Sequence, residues 1–574
     1  MSFTKFSEAA FLRSPMSFLR FACPFAILLT ILAAAQSNPV LRVDQENAPR
    51  DIQKPPVGVA ARQGPAKQAQ PVRFKNPVIY DSLGRYADSV AIGDLNGDGK
   101  SDLVVANACP CGDGVGPISV LLGNGDGTFQ PAIGYDPGGE ESFSVAIGDV
   151  NGDGKPDLIV ATLCGPDVCL EPYPGGVSVL LGNGDGTFQP AVSYSSGGYT
   201  RGDTRAFVVI RDVNGDGKPD LIVSSECQSA DNCNSPTGPG GVTVLLGNGD
   251  STFQPAVSYS SGGWNATSVA VADVNGDGKL DLVVSNFCLS GTNCYGDEPG
   301  GISVLLGNGD GTFQPPVSFS SGGNFGYWVA IGDVNGDSHP DLVVVNGCGN
   351  IRCTANLAVF LGNGDGTFQH PVVYDGQPGA TSAVIADLNG DGHLDLALSG
   401  TCNECRETVG VMPGNGDGSF QPPVNFLAGG YRRSSPVAIG DVNHDGRPDL
   451  VVGNDCSVTE KFGYCPTNGT VGVLVNNFSA NTATALTSSP NPSQVNQSVT
   501  FTATVTSSTS LPPNGSTVNF YNHQTKIGSG TTTNGVASFT TVLSKAGTTT
   551  YKAVYPGDVF HKSSSGTTTQ VVNP

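Results

Sequence analysis

The strongest constraint on this chain of 574 residues is a phrase that recurs seven times. It begins at Val90 (VAIGDLNGDGKSDLVV), Val145 (VAIGDVNGDGKPDLIV), Val208 (VVIRDVNGDGKPDLIV) and Val269 (VAVADVNGDGKLDLVV). It returns at Val329 (VAIGDVNGDSHPDLVV), Val384 (VIADLNGDGHLDLAL) and Val437 (VAIGDVNHDGRPDLVV). The copies stand about 54 to 63 residues apart. A repeat of this size means equivalent supersecondary units packed side by side, with each unit's apolar face covered by its neighbours.

A second phrase, LGNGDGTFQP or a near copy, follows the first six copies, from Leu122, Leu181, Leu246, Leu306, Leu361 and Pro413. Each unit holds four short runs of strand type, in the first case Val90 to Gly93, Leu103 to Ala106, Ile118 to Leu122 and Phe129 to Tyr135. Gly, Asn and Asp stand between them, the residues that tight hairpins require. The seventh unit stops at Val473-Leu474-Val475-Asn476-Asn477 without a fourth run. Phe74 to Tyr80 matches that missing run and has no unit before it. Four-stranded antiparallel sheets in a ring closed by a displaced strand make a seven-bladed β-propeller, so the expected class is all-β.

The recurrent loop has the chemistry of a hard-cation site. Asp94, Asn96, Asp98 and Asp102 occupy positions 1, 3, 5 and 9, and Gly99 makes the turn at position 6. Alternate oxygen-bearing side chains around a Gly turn can face one ion, with the carbonyl at position 7 adding another donor. The same positions hold Asp149, Asn151, Asp153 and Asp157; Asp212, Asn214, Asp216 and Asp220; and Asp273, Asn275, Asp277 and Asp281. They continue with Asp333, Asn335, Asp337 and Asp341; Asp387, Asn389, Asp391 and Asp395; and Asp441, Asn443, Asp445 and Asp449. Strand-type residues flank every loop, so a β-hairpin and not a helix pair encloses it. With the blade pattern, these residues resemble the FG-GAP or VCBS repeats of integrin-type propellers over about residues 72 to 478. That resemblance implies calcium between the first two strands of each blade.

Three Asp per loop over seven loops make up 21 of the 50 acidic residues in a chain of net charge −22. About seven structural Ca²⁺ ions are expected to relieve their repulsion. Ser338 replaces the turn glycine of the fifth loop and His444 the glycine at position 4 of the seventh. The fifth loop is expected to bind most weakly, because glycine adopts left-handed backbone angles more readily than serine. The GNGDG turns offer two side-chain donors each and read as plain turns.

Fourteen cysteines fall two to a blade, always between the second and third strands. They are Cys109 and Cys111, Cys164 and Cys169, Cys227 and Cys233, Cys288 and Cys294, Cys348 and Cys353, Cys402 and Cys405, and Cys456 and Cys465. Local disulfides are expected in an exported chain. Residues 1–35, with Lys5, Arg13 and Arg20 before an apolar run, read as a signal peptide, and the polar stretch 36–71 as a disordered linker. The propeller is expected over 72–479.

From 480 to 574 Thr and Ser dominate, and Val499, Phe501, Ala503 and Val505 alternate with polar residues. Val518 and Phe520, Tyr551, Ala553 and Tyr555, and more weakly Val536, Ser538 and Thr540 do the same. This is a β-sandwich pattern. Its Ser489-Pro490-Asn491-Pro492 and Ala553-Val554-Tyr555-Pro556-Gly557-Asp558 segments resemble bacterial Ig-like repeats of surface and secreted proteins.

The acidic balance excludes nucleic acid as an expected partner, and no segment of the processed chain is long enough for a membrane span. The calcium loops and GNGDG turns share one face and are nearly uniform. The opposite face carries the disulfide loops and Tyr173, Tyr199, Trp264, Tyr295, Phe325, Tyr327, Trp328, Tyr431 and Tyr464, with Arg201, Arg205, Arg432 and Arg433. Aromatic and Arg side chains on loops suit recognition. The expectation is a secreted or surface-associated, monomeric binding or adhesion protein for an extracellular protein or glycan. The alternative is an extracellular polysaccharide-active enzyme, although no catalytic constellation stands out among six His.

Overall fold

The computed structural model describes residues 72–574 apart from 109–116, 165–171, 201–205, 234–238, 291–297, 348–355, 378, 402–405, 457–467 and 508–510. Five antiparallel four-stranded sheets follow one another in chain order. The first contains Tyr86–Gly93, Asp102–Ala108, Ile118–Leu121 and Ile133–Tyr135. Its fourth strand begins at Ile133, not Phe129, because Pro131 has no N–H to give a ladder; Phe129 makes a separate bridge to Gly123.

Blades six and seven share one strand, Val424–Gly440, which pairs first with Arg406–Met412 and then with Asp449–Cys456. The ring closes as the sequence implies. Val78–Asp81 lies antiparallel on Thr470–Leu474, with Val78 opposite Val473 and Asp81 opposite Thr470. Phe74 bridges Asn476, and the Lys75 N–H donates to the Val475 carbonyl at 2.8 Å.

The second strand of each blade is an almost unbroken apolar run because both its faces are covered. Leu103, Val104, Val105 and Ala106 have no exposed surface. The cores lie between blades: Leu95, Val104, Ile118 and Val120 of the first pack on Val145, Leu158, Val160 and Phe188 of the second. The last joint has the same make-up, with Val90, Leu103 and Val105 against Val442, Val451, Val471 and Val473. The Ile-Gly pair that precedes four of the seven loops has its own packing role. Ile147 covers Gly93 of the preceding blade, Ile210 covers Gly148, Ile385 covers Gly332 and Ile92 covers Gly440. A Cβ on Gly93 would stand 3.1 Å from Ile147 Cδ1, so these contacts favour glycine.

The C-terminal domain is a β-sandwich of a three-stranded sheet (Thr482–Ser489, Ser498–Ser507, Val536–Val542) and a five-stranded sheet. Val499, Phe501, Ala503, Val505, Val518, Phe520, Ala553 and Tyr555 form its core. The weak alternation expected at Val536, Ser538 and Thr540 has the opposite phase. Ala537 is buried and Phe539 packs on the core, while Val536 and Val542 face outward. Thr and Ser on both faces of that strand leave little hydrophobic contrast to set its register. No helix among the described residues is long and apolar enough to cross a membrane.

Candidate metal centres

The loop residues at positions 1, 3 and 5 lie in the turn between the first and second strands of each blade, and the aspartate at position 9 is the first residue of the second strand. In the first loop Asp94 Oδ1 accepts from the Gly97 N–H and its Oδ2 from the Gly99 N–H, both at 2.8 Å. Asn96 Oδ1 accepts from Asp98 N and Asp98 Oδ1 from Lys100 N, both at 2.9 Å. The same bonds recur in the loops opened by Asp149, Asp212, Asp273, Asp333 and Asp387. Gly97 and Gly99 have φ of 72° and 79°. Ser338 and His444 take the same region at 70° and 56°, where a Cβ is unfavourable.

The position-9 aspartate does more than the loop pattern implies. Asp102 is fully buried; its Oδ2 accepts from Leu95 N at 2.9 Å and its Oδ1 from Gly123 N at 2.7 Å. It therefore ties the loop to the end of the third strand. Asp157, Asp220, Asp281, Asp341 and Asp395 bond in the same way to Gly182, Gly247, Gly307, Gly362 and Gly414, and Asp449 to Asn476. The partner is glycine because a Cβ at Gly123 would lie 2.1 Å from the Ser101 carbonyl oxygen. Burial pushes Asp102 above its ordinary 3.8 despite these donors, and the charges of Asp98 and Asp94 push the same way.

The GNGDG turns are closed by their own bonds: Asp126 Oδ1 accepts from Thr128 N and Oγ1, and Asn124 Nδ2 donates to Thr128 Oγ1. They also interlock with the loops. A Cβ on Gly186 would lie 3.6 Å from Asn96 Cβ of the preceding blade, and Gly366 and Gly418 stand similarly against Asn275 and Asn335.

Two loops are covered by the C-terminal domain. Phe560 sits over Gly390, where a Cβ would lie 2.2 Å from its ring, and Val559 sits against Gly446. Arg447 Nε donates to the Val559 carbonyl at 2.7 Å and Nη1 to Asp445 Oδ2 at 2.9 Å. Burial pushes Asp395 and Asp449 up to about 7. An all-oxygen donor set of this kind fits a hard cation, and a divalent ion would reverse the direction of these shifts. Among the described residues, no three His, Cys, Asp or Glu side chains are gathered closely enough to hold an ion as they stand.

On the opposite face Cys227 and Cys233 form a disulfide with Cα atoms 5.2 Å apart. Cys164 and Cys288 are also disulfide-bonded. Cys109, Cys111, Cys169, Cys294, Cys348, Cys353, Cys402, Cys405 and Cys465 lie outside the described residues, as do Arg201, Arg205, Tyr295, Tyr464 and residues 1–71. Several aromatics expected to project instead pack together. Trp264 is buried against Phe287, Phe325 stacks on Phe287 with centroids 4.5 Å apart, and Trp328 meets Phe207 edge-on at 4.8 Å.

Comparison with known proteins agrees with this geometry. The FG-GAP-like repeat family matches residues 94–160, 165–223, 232–284, 290–344, 346–398 and 401–452, and these segments contain all seven loops. The chain belongs to the FG-GAP-like repeat family. The bacterial Ig-like domain (group 3) family matches 486–573. Integrin alpha-V of Gallus gallus is 27% identical over 221 residues, 35% of this chain and 21% of that protein. Phosphatidylinositol-glycan-specific phospholipase D of Bos taurus is 32% identical over 156 residues, 23% of this chain and 17% of that protein. The chain thus spans about a fifth of the length of these relatives. The solved BP39L lectin of Burkholderia pseudomallei superposes with a TM-score of 0.42 at 13% identity, covering 69% of this FG-GAP chain and 100% of that one.

Proposed function

We propose that this FG-GAP propeller is an extracellular binding protein whose seven loops hold calcium as structural ions. The observation that carries this reading is the recurrence of one oxygen-rich hairpin in all seven blades, with its buried position-9 aspartate bonded to two backbone N–H groups each time. In such a loop Asp94, Asn96, Asp98 and Asp102 would supply side-chain oxygens and Lys100 its carbonyl. The ion would neutralise the clustered carboxylates and fix the hairpin.

Recognition falls to the opposite face, with an extracellular protein or glycan as ligand and the chain acting as a monomer. There Phe287, Phe325 and Tyr327 form a half-buried aromatic cluster beside the disulfide-bonded Cys288. Such rigid amphipathic surfaces suit binding. The integrin relatives favour binding over catalysis, and the phospholipase D relative, matched over 17% of its length, keeps the enzymatic alternative in the test.

The test is a glycan array and a panel of extracellular proteins, run with and without calcium beside a polysaccharide-degradation screen. A ligand retained by the wild type and lost in Tyr327→Ala, with no depolymerisation, is expected. Depolymerisation without a retained ligand would replace this reading with the enzymatic one.

A further inference from the structure

Neighbouring loops are tied to one another around the ring, as where Ser101 Oγ of loop one donates to the Asp441 carbonyl of loop seven at 3.1 Å, but among the described residues the two covered loops are the ones that also meet the Ig-like domain. Asn476, at the exit from the last propeller strand, donates its Nδ2 to the Leu388 carbonyl in loop six at 2.7 Å and to the Pro448 carbonyl in loop seven at 3.1 Å. Its backbone N–H donates to Asp449 Oδ1 at 2.7 Å. Four residues on, the Ala480 N–H donates to the Phe560 carbonyl at 2.7 Å, and the Lys562 N–H donates to the Ala480 carbonyl at 2.8 Å. A short connection is therefore pinned at one end to both loops and at the other to the segment that covers them.

That segment is shaped within its own domain. Tyr555 Oη donates to Asp558 Oδ2 at 2.6 Å, Asp558 Oδ1 accepts from the Phe560 N–H at 2.9 Å, and His561 Nδ1 lies 2.7 Å from Asp558 Oδ1. Phe560 and Val559 are thus held out toward Gly390 and Gly446. The propeller side is matched to them. Gly390 leaves room for the Phe560 ring, whereas its counterparts Gly97, Gly215 and Gly336 face open space. Position 7 is Lys in the first four loops, His in the fifth and sixth, and Arg only at Arg447. A guanidinium fork can bond the Val559 carbonyl and Asp445 at once, which an ammonium does less well.

We propose that loops six and seven form a linked pair, in which filling by calcium and docking under the Val559–Phe560 segment stabilise one another. The Ig-like domain is then held in one position on the propeller only while those two loops are filled. The inference rests on reading the loops as calcium sites. Linkage is reciprocal, so undocking weakens calcium at these two loops by the factor by which calcium strengthens docking.

The experiment uses the full chain with one fluorophore on each domain, reading interdomain distance while bound calcium is counted by equilibrium dialysis and elemental analysis. The wild type is expected to show a single short distance in calcium and a longer, broader one in chelator. Phe560→Ala, and Arg447→Lys as a milder variant that keeps the charge and the backbone carbonyl, should broaden the distance even in calcium. Each should weaken two of the calcium sites by about tenfold while leaving five unchanged. Calcium that binds without changing the distance would overturn the linkage, as would variants that leave all affinities equal to wild type. Absence of bound calcium in the wild type would overturn the underlying reading of the loops.

Discussion

Loops one to five and loops six and seven are built from the same phrase, yet they sit in different surroundings. In the first five, the turn glycines face solvent or a neighbouring GNGDG turn, and burial raises the position-9 aspartate above its ordinary value. In the last two, Val559, Phe560 and the connection through Asn476 pack over part of the loop, and burial raises Asp395 and Asp449 to about 7. One motif therefore stands as an open loop in five places and as part of a domain interface in two.

The largest effect is expected from the closing strand, because it completes the blade that carries loop seven. Deleting residues 72–82 removes the pairing of Val78–Asp81 with Thr470–Leu474 and leaves an open edge, which invites aggregation. Solubility and unfolding midpoint should both fall sharply; a deletion as soluble and stable as the full chain would break the closure account.

The next prediction separates the two classes by pH in chelator. A carboxyl whose folded pKa is raised binds its proton more tightly in the folded state. Its contribution is therefore most favourable below the ordinary 3.8 and is lost as pH climbs through about 7. Chelated protein should lose stability between pH 4 and about 7, and Asp395→Asn with Asp449→Asn should flatten most of that slope. Asp102→Asn should flatten little of it. Equal effects in urea titrations would erase the distinction between open and covered loops.

A smaller effect is expected for Asp281→Ala in an open loop, which leaves the Val274 and Gly307 N–H groups without their acceptor. The cost is about 1 to 3 kcal/mol per buried donor, read from urea midpoints at constant slope. The smallest concerns backbone strain alone. Ser338→Gly should stabilise the fifth loop by about 1 kcal/mol, because φ of 70° then carries no Cβ. An unchanged calcium affinity and midpoint would show that the loop tolerates serine freely.

Much of this contrast was beyond reach of the sequence, for physical reasons. Blade number, hairpin position and ring closure are legible because they recur, and Phe74 to Tyr80 stands out as a strand without a unit. The docking of Val559 and Phe560 occurs once and joins residues more than a hundred positions apart; Arg447 among the lysines and histidines is its one local sign. The role of Asp102 at Gly123 was hidden because a buried tie and an ion ligand call for the same side chain. Trp264 and Trp328 look like loop aromatics in the sequence yet pack against Phe287 and Phe207, since sequence does not distinguish an apolar ring that binds from one that packs.

The most direct test of the calcium-loop account is thermal unfolding of the full chain in calcium and in chelator, with bound calcium counted in parallel. The account predicts close to seven ions per chain, one for each recurrent loop, and a propeller transition that moves to markedly lower temperature when they are removed. A transition at the same temperature in both conditions, or a chain that retains no calcium, would contradict it.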